Sequence, residues 1–215
     1  MSFIFDHIAI GASSLEQGVE FIEQKLGVKI PFSGVHDQMG THNHLMQIGD
    51  GIFLELIAIN PAATPANAPQ KRWFDLDNPQ LQQQLKHQPK LLTWVARTPD
   101  LKSETTDLSV DIGDIHHVSR GALTWQITIP KNGKLTEHGL FPTLIEWQNN
   151  QTPAPHMADL GIKLTSFTLT HPQPENFNSL LKNFKNSQQF ELSIEQGEYN
   201  LAATFTNTNG DIIKL

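Results

Sequence analysis

The chain has 215 residues, 38% hydrophobic and 17% charged, which suits a soluble globular protein of one domain or two small ones and not a disordered chain. Its 15 basic and 22 acidic residues give a net charge of −7 with no basic stripe, which argues against nucleic acid, and no apolar run approaches the roughly 18–20 residues needed to span a bilayer. There is no cysteine, which excludes disulfides, thiolate zinc sites and a cysteine nucleophile, so any metal must take nitrogen and oxygen donors. The opening MSFIFDHIAI has no basic stretch before its apolar part, unlike a secretory leader, and a cytoplasmic location is expected.

Phe3–Ile10 reads as a first strand. Ser13 and Ser14 each have a Glu or Gln three residues on, the capping-box spacing. Leu15, Val19, Ile22 and Leu26 then fall on one helical face, and Gly27 supplies the stop. Val28–Phe32, Asn43–Ile48 and Ile52–Ile59 read as strands, which completes a βαβββ unit over 1–60. A linker with a short helix follows over 61–90. Asn60–Gln70 is rich in Pro and Ala, and Asp77 or Asn78 can cap a helix with Pro79 in its first turn and Leu81 and Leu85 on its inner stripe.

A weaker copy spans 91–150: strands at Leu91–Arg97, Ile115–Ser119, Leu123–Ile129 and Pro142–Trp147, with a short helix or turn at Asp100–Leu108. A third βαβββ-like unit is expected over 151–215. It has strands at Ile162–Thr170, Phe190–Glu195, Tyr199–Thr206 and Asp211–Leu215, and a helical stripe of Phe177, Leu180, Leu181 and Phe184. Asn209-Gly210 marks the last hairpin. Such a repeat decides the fold more than any single element does.

The polar residues inside apolar strands carry the chemistry. Glu55 stands alone in IFLELIAI and Glu146 in PTLIEW, and a lone carboxylate among hydrocarbon is costly unless paired or bound to a cation. His7 lies between Phe5 and Ala9 in the first strand. If Asp50-Gly51 is a two-residue turn, Met46 pairs with Glu55, and His44 and Glu55 project from one face. A three-residue loop puts them on opposite faces, because one residue of slip turns every side chain over. Asp-Gly is the stronger hairpin signal and favours the first arrangement. Trp94, Trp125 and Trp147 sit in apolar strands, and Arg120 follows the Ile115–Ser119 strand.

FDHIAIGASSLEQGVEFIEQKLGV and GTHNHLMQIGDGIFLELIAINP, followed by SRGALTWQITIP and GLFPTLIEWQ, resemble the glyoxalase-like branch of the vicinal oxygen chelate superfamily. The resemblance implies an α+β fold in which paired βαβββ modules form a cupped, incomplete barrel, the glyoxalase/bleomycin-resistance/dioxygenase-like fold. It implies a divalent metal (Zn, Mn, Fe(II) or Ni) in the cup, with His7, Glu55 and Glu146 as ligands. The fourth family position falls near Trp94, which cannot ligate. Glu55 and Glu146 would be the catalytic carboxylates, and His44, Trp94, Arg120 and Trp125 would line the pocket. The expected function is a metal-dependent lyase, isomerase or dioxygenase that chelates adjacent oxygens of a small molecule and stabilises an enolate. The Trp94 departure leaves open a non-catalytic sequestering protein of the same fold. Fold likeness alone does not name a reaction. The odd third unit is consistent with a homodimer; neither a membrane nor nucleic acid is expected as a partner.

Overall fold

The computed structural model describes residues 3–63, 71–106, 108–185 and 188–215. Most of the expected Pro/Ala linker, residues 64–70, lies outside the described residues, as does position 107 of the expected Asp100–Leu108 turn.

The first unit begins with β1 (Phe3–Gly11) and α1 (Leu15–Leu26). The side chain of Ser14 accepts from the N–H of Gln17 and caps the helix, which buries Leu15, Ile22 and Leu26 against the sheet. Three strands follow: β2 (Phe32–His36), β3 (Thr41–Gly49) and β4 (Ile52–Ile59). β2 starts only at Phe32, past most of the expected Val28–Phe32 strand. Pro31 has no N–H for a ladder, and Ile30 goes into the core instead.

After α2 (Pro79–His87), capped by Asn78, the order repeats. β5 (Lys90–Arg97) leads to the one-turn helix α3 (Leu101–Glu104), then β6 (Asp114–Arg120), β7 (Leu123–Ile129) and β8 (Thr143–Trp147). Strands of both units join one curved sheet in the order β2-β3-β4-β1-β5-β8-β7-β6. β1 and β5 lie antiparallel at its centre, and each takes the last strand of its own unit, β4 or β8, as a parallel partner. The sheet is thus pseudo-symmetric about the β1/β5 seam. Its edges curl together without sharing a ladder. Ser119 N–H donates to Gln38 Oε1 at 3.0 Å, and Arg120 Nη1 donates to Asn43 Oδ1 at 2.8 Å across the gap. The result is the expected α+β cup, a barrel left open along one side.

The third segment holds β9 (Lys163–His171), α4 (Pro174–Leu180), β10 (Phe184–Lys185), β11 (Glu191–Gln196), β12 (Asn200–Thr206) and β13 (Ile212–Lys214). Its sheet runs β11-β9-β12-β13, with β9 parallel to β11 and antiparallel to β12. In the first two units the first strand pairs with the last. Here it lies between β11 and β12, and an extra short strand, β10, follows the helix, so the connectivity differs although a strand-helix-strands order recurs. β10 pairs instead with β1 of the main sheet. Phe167, Leu169 and Phe205 bury against Phe5 and Trp94 on the outside of the cup. A second core fills the inside with Ala9, Leu45, Phe53, Ile57, Val95 and Ile145.

Candidate active site

The site is built on an irregularity of β1. Phe5 faces Ala96 and His7 faces Val95, so Asp6 is an extra residue, a β-bulge. Asp6 is fully buried and saturated. Its carboxylate accepts from His7 Nδ1 at 2.7 Å, Trp147 Nε1 at 3.0 Å and Arg97 Nη1 at 3.1 Å. Arg97 also donates to the carbonyls of Phe5 and Gly51, which tie three strand ends together. Because Asp6 takes the Nδ1 proton, the other nitrogen of His7 is turned to Glu55, at 3.6 Å from Oε2.

Glu55 lies on β4 and is 6% exposed. Its Oε1 accepts from Asn43 Nδ2 at 2.7 Å, and Asn43 Oδ1 in turn accepts from Arg120. His36 Nε2 lies 3.4 Å from both Asn43 Nδ2 and Arg120 Nη1, while its Nδ1 lies 3.0 Å from Thr41 Oγ1. Both neighbours of Nε2 are donors, which requires a neutral imidazole with its proton on Nδ1.

Electrostatics divides the two histidines. Burial alone would discharge His7, but the hydrogen bonds and charges of Asp6 and Glu55 outweigh it and raise its pKa to about 9. Burial would likewise push Glu55 up, and the His7 hydrogen bond and charge, with help from Asn43, bring it down to about 2. The pair is therefore imidazolium and carboxylate at neutral pH. His36 is driven the other way, to about 4, by burial and by the Arg120 charge, against the pull of Glu55. Arg120 has no carboxylate partner among the described residues.

Aromatic rings wall the cup. Phe53 stacks on His7 with centroids 4.2 Å apart, Trp125 and Trp147 pack together, and Trp73 meets His36 edge-on. The cavity left between these walls is about 30 Å³. That is far below the roughly 300–1,000 Å³ of a drug-sized site, so the cup as it stands has room for one thin group of a ligand.

Of the residues expected from sequence, His7, Glu55, Arg120 and Trp125 meet in this cup. His44, Trp94 and Glu146 do not. The turn at Asp50-Gly51 does have two residues, with Gly51 in the left-handed region at φ 66° and Gly49 opposite Ile52. A bulge at Ile48 then shifts the ladder by one, so Leu45 faces Glu55 and Asn43 faces Ile57. Asn43 thereby enters the cup, and His44 turns outward, where its Nδ1 bonds the Ile30 carbonyl at 2.8 Å. Trp94 points into the outer core, and its indole donates to the Leu140 carbonyl at 2.7 Å. Glu146 is on the outer face of β8 and accepts from the Leu101 N–H at 2.7 Å, at the start of α3. Asp6, His36, Asn43 and the Trp73-Phe74 wall were not foreseen. An Asp beside a His inside an apolar strand was the available signal for the first.

This register bears on the expected metal ligands through their donor chemistry. β1 sets His7 opposite Phe53 with Glu55 two residues on, and β5 sets Val95 opposite Thr143 with Ile145 two residues on. The pseudo-symmetric counterparts of His7 and Glu55 are thus Val95 and Ile145, two hydrocarbons. Glu146 misses the cup by one residue. Among the described residues no group of three or more His, Asp or Glu is placed to hold a metal ion. The expected His7, Glu55 and Glu146 ligand set therefore does not fit a divalent metal. Protein purified without an affinity tag is expected to carry no stoichiometric Zn, Mn, Fe or Ni by elemental analysis. One equivalent of metal, lost in Glu55→Gln, would overturn this.

Two βαβββ units curled round one cup define the vicinal oxygen chelate fold. The chain belongs to the glyoxalase-like domain family, whose profile matches residues 5–184. Among solved structures, a hypothetical protein from Staphylococcus aureus superposes with a TM-score of 0.60 at 15% identity, over 100% of this chain and 98% of that one. Methylmalonyl-CoA epimerase from Mycobacterium tuberculosis aligns at TM-score 0.42 and 16% identity, over 66% of this chain and 85% of that one. A single-residue variant of Streptomyces coelicolor methylmalonyl-CoA epimerase, in complex with 2-nitronate-propionyl-CoA, aligns at 0.40 and 18%, over 66% and 95%. No curated protein matches the sequence. Among the described residues no helix is long and apolar enough to cross a membrane.

Proposed function

We propose that the chain is a metal-independent acid–base enzyme acting on a small molecule that carries a carboxylate beside an enolisable carbonyl. The observation that carries this reading is the buried string Asp6–His7–Glu55, opening onto a cup whose remaining cation, Arg120, has no carboxylate of its own among the described residues. Arg120 would hold the substrate carboxylate. The imidazolium of His7, fixed by Asp6, would face the carbonyl oxygen and stabilise the enolate, with a fixed positive charge in the role a metal has elsewhere in the superfamily. Glu55 would take the proton from the α-carbon, the electron pair moving to the carbonyl oxygen, and return it to carbon.

In the resting pair Glu55 is too weak a base for this step, because His7 holds its pKa down. A ligand oxygen that replaces Glu55 as the partner of His7 removes that restraint. Burial then raises the basicity of Glu55 when it is needed. The proposal keeps a cytoplasmic setting and a homodimer.

The test is exchange of substrate protons in D2O, followed by proton NMR across small 2-oxo and 3-oxo acids. Loss of the α-proton signal catalysed by wild type, and lowered about 10²-fold or more in Glu55→Gln, is the expected result. A second reading, a binding protein without catalysis, is favoured by the aromatic walls of Trp73, Phe74, Trp125 and Trp147. Ligands that raise the melting temperature yet show no exchange would establish it instead.

A further inference from the structure

Between the third segment and the barrel runs a groove of about 550 Å³, separate from the cup. That volume falls within the range of about 300–1,000 Å³ usual for small-ligand sites. Its walls include the apolar side chains of Phe21, Leu91, Leu92 and Leu201. Lys25, Lys90 and Lys214 also line it, with the Asp75 side chain and the carboxylate of the last residue, Leu215, opposing them. None of the three lysines has a carboxylate partner among the described residues, so the groove sets ammonium groups beside an apolar floor.

One end is an aromatic stack held under strain. Tyr199, 42% exposed, stacks on His138 with ring centroids 4.0 Å apart. His138 gets there through two consecutive left-handed residues, Glu137 at φ 47° and His138 at φ 57°, a conformation unfavourable for any residue with a side chain. Gly139 follows at φ 91°, and a Cβ there would stand 2.1 Å from the Leu92 carbonyl oxygen, so glycine alone lets this turn press onto β5. Behind the stack His171, only 7% exposed, meets Tyr199 edge-on. Its Nδ1 accepts from the Gln173 N–H at 2.8 Å, so the proton is on Nε2, which has no hydrogen bond and lies 3.5 Å from Glu137 Oε2. His171 is thus held by Glu137 and by stacking on Phe177, and the feature at this end of the groove that calls for an explanation is the strained backbone of Glu137 and His138.

We propose that this groove is a second ligand site, for a small amphipathic carboxylate. The apolar body lies along Leu91, Leu92 and Leu201 and under the Tyr199–His138 stack, and the carboxylate meets the lysines. The cup and its reaction play no part in this binding. The experiment is isothermal titration calorimetry of the full chain with laurate as the probe. Wild type is expected to bind one laurate, and both Tyr199→Ala and the double variant Lys90→Glu with Lys214→Glu should weaken it about fivefold or more. The cup variants Glu55→Gln and Trp125→Ala should keep the wild-type affinity for laurate. These groove positions are exposed enough to leave folding intact, and a thermal melt of each variant checks it. No binding to wild type, equal affinity in the groove variants at an unchanged melting temperature, or affinity lost in the cup variants would each overturn the proposal.

Discussion

Replacing Asp6 with alanine is expected to destabilise the protein by about 3–5 kcal/mol, the cost of breaking a buried ion pair by removing one partner. For a chain of this size that is a fall in melting temperature of about 6–20 °C. The change strands three donors at once: the guanidinium of Arg97, the indole N–H of Trp147 and the imidazolium of His7. None of them has a second carboxylate within reach among the described residues except His7, which keeps Glu55. Asp6→Asn separates charge from shape. It retains an oxygen for Trp147 but removes the charge that helps hold His7 protonated, so His7 should become neutral at a lower pH, visible in the nitrogen shifts of its ring by NMR. A melting temperature for Asp6→Ala within about 2 °C of wild type would show that the string is not a structural ion-pair network.

Asp6 also marks where reading the sequence stops. Strands, helix caps and the paired βαβββ order follow from periodicity and turn chemistry, because Ser14, Asn78 and Asp50-Gly51 each satisfy a local requirement on the spot. Which side chains enter the cup does not follow from those rules. Side chains alternate, so one unpaired residue reverses a whole strand, and this sheet has bulges at Asp6 and Ile48. The first brings Asp6 beside His7, and the second exchanges His44 for Asn43. Glu146 and Trp94 were each one residue from the positions that matter, Ile145 and Val95. Their isolation in apolar strands was real, but each is satisfied on the outer face by a backbone group, the Leu101 N–H and the Leu140 carbonyl. The third segment has the element order of the others, and its different strand pairing reflects contacts between residues far apart in sequence, which local pattern does not encode.

Stability should peak near pH 6.5 and fall on both sides, with a different histidine responsible for each limb. His7 titrates at about 9 in the fold against an ordinary 6.5. Its contribution is fully present below pH 6.5 and is lost as pH rises through 9, a change of about 3 kcal/mol. His36 is shifted oppositely, from 6.5 to about 4. It is buried neutral between Asn43 and Arg120, so its contribution is present above pH 6.5 and is lost as pH falls through 4. Glu55, lowered from 4.5 to about 2, holds its contribution above pH 4.5 and loses it only in stronger acid. Urea unfolding at pH 4.5, 6.5 and 9.5 reads the His36 limb, the maximum and the His7 limb, with the Glu55 loss lying at lower pH. His7→Gln should be less stable at pH 6.5 and should lose most of the alkaline decline. His36→Gln should flatten the decline between pH 6.5 and 4.5 and leave the alkaline limb in place. Should His7→Gln keep the full alkaline loss, His7 is not protonated in the resting protein. The imidazolium that stabilises the enolate in the proposed reaction would then be absent, so a stability curve tests the chemistry of the cup before any substrate is known.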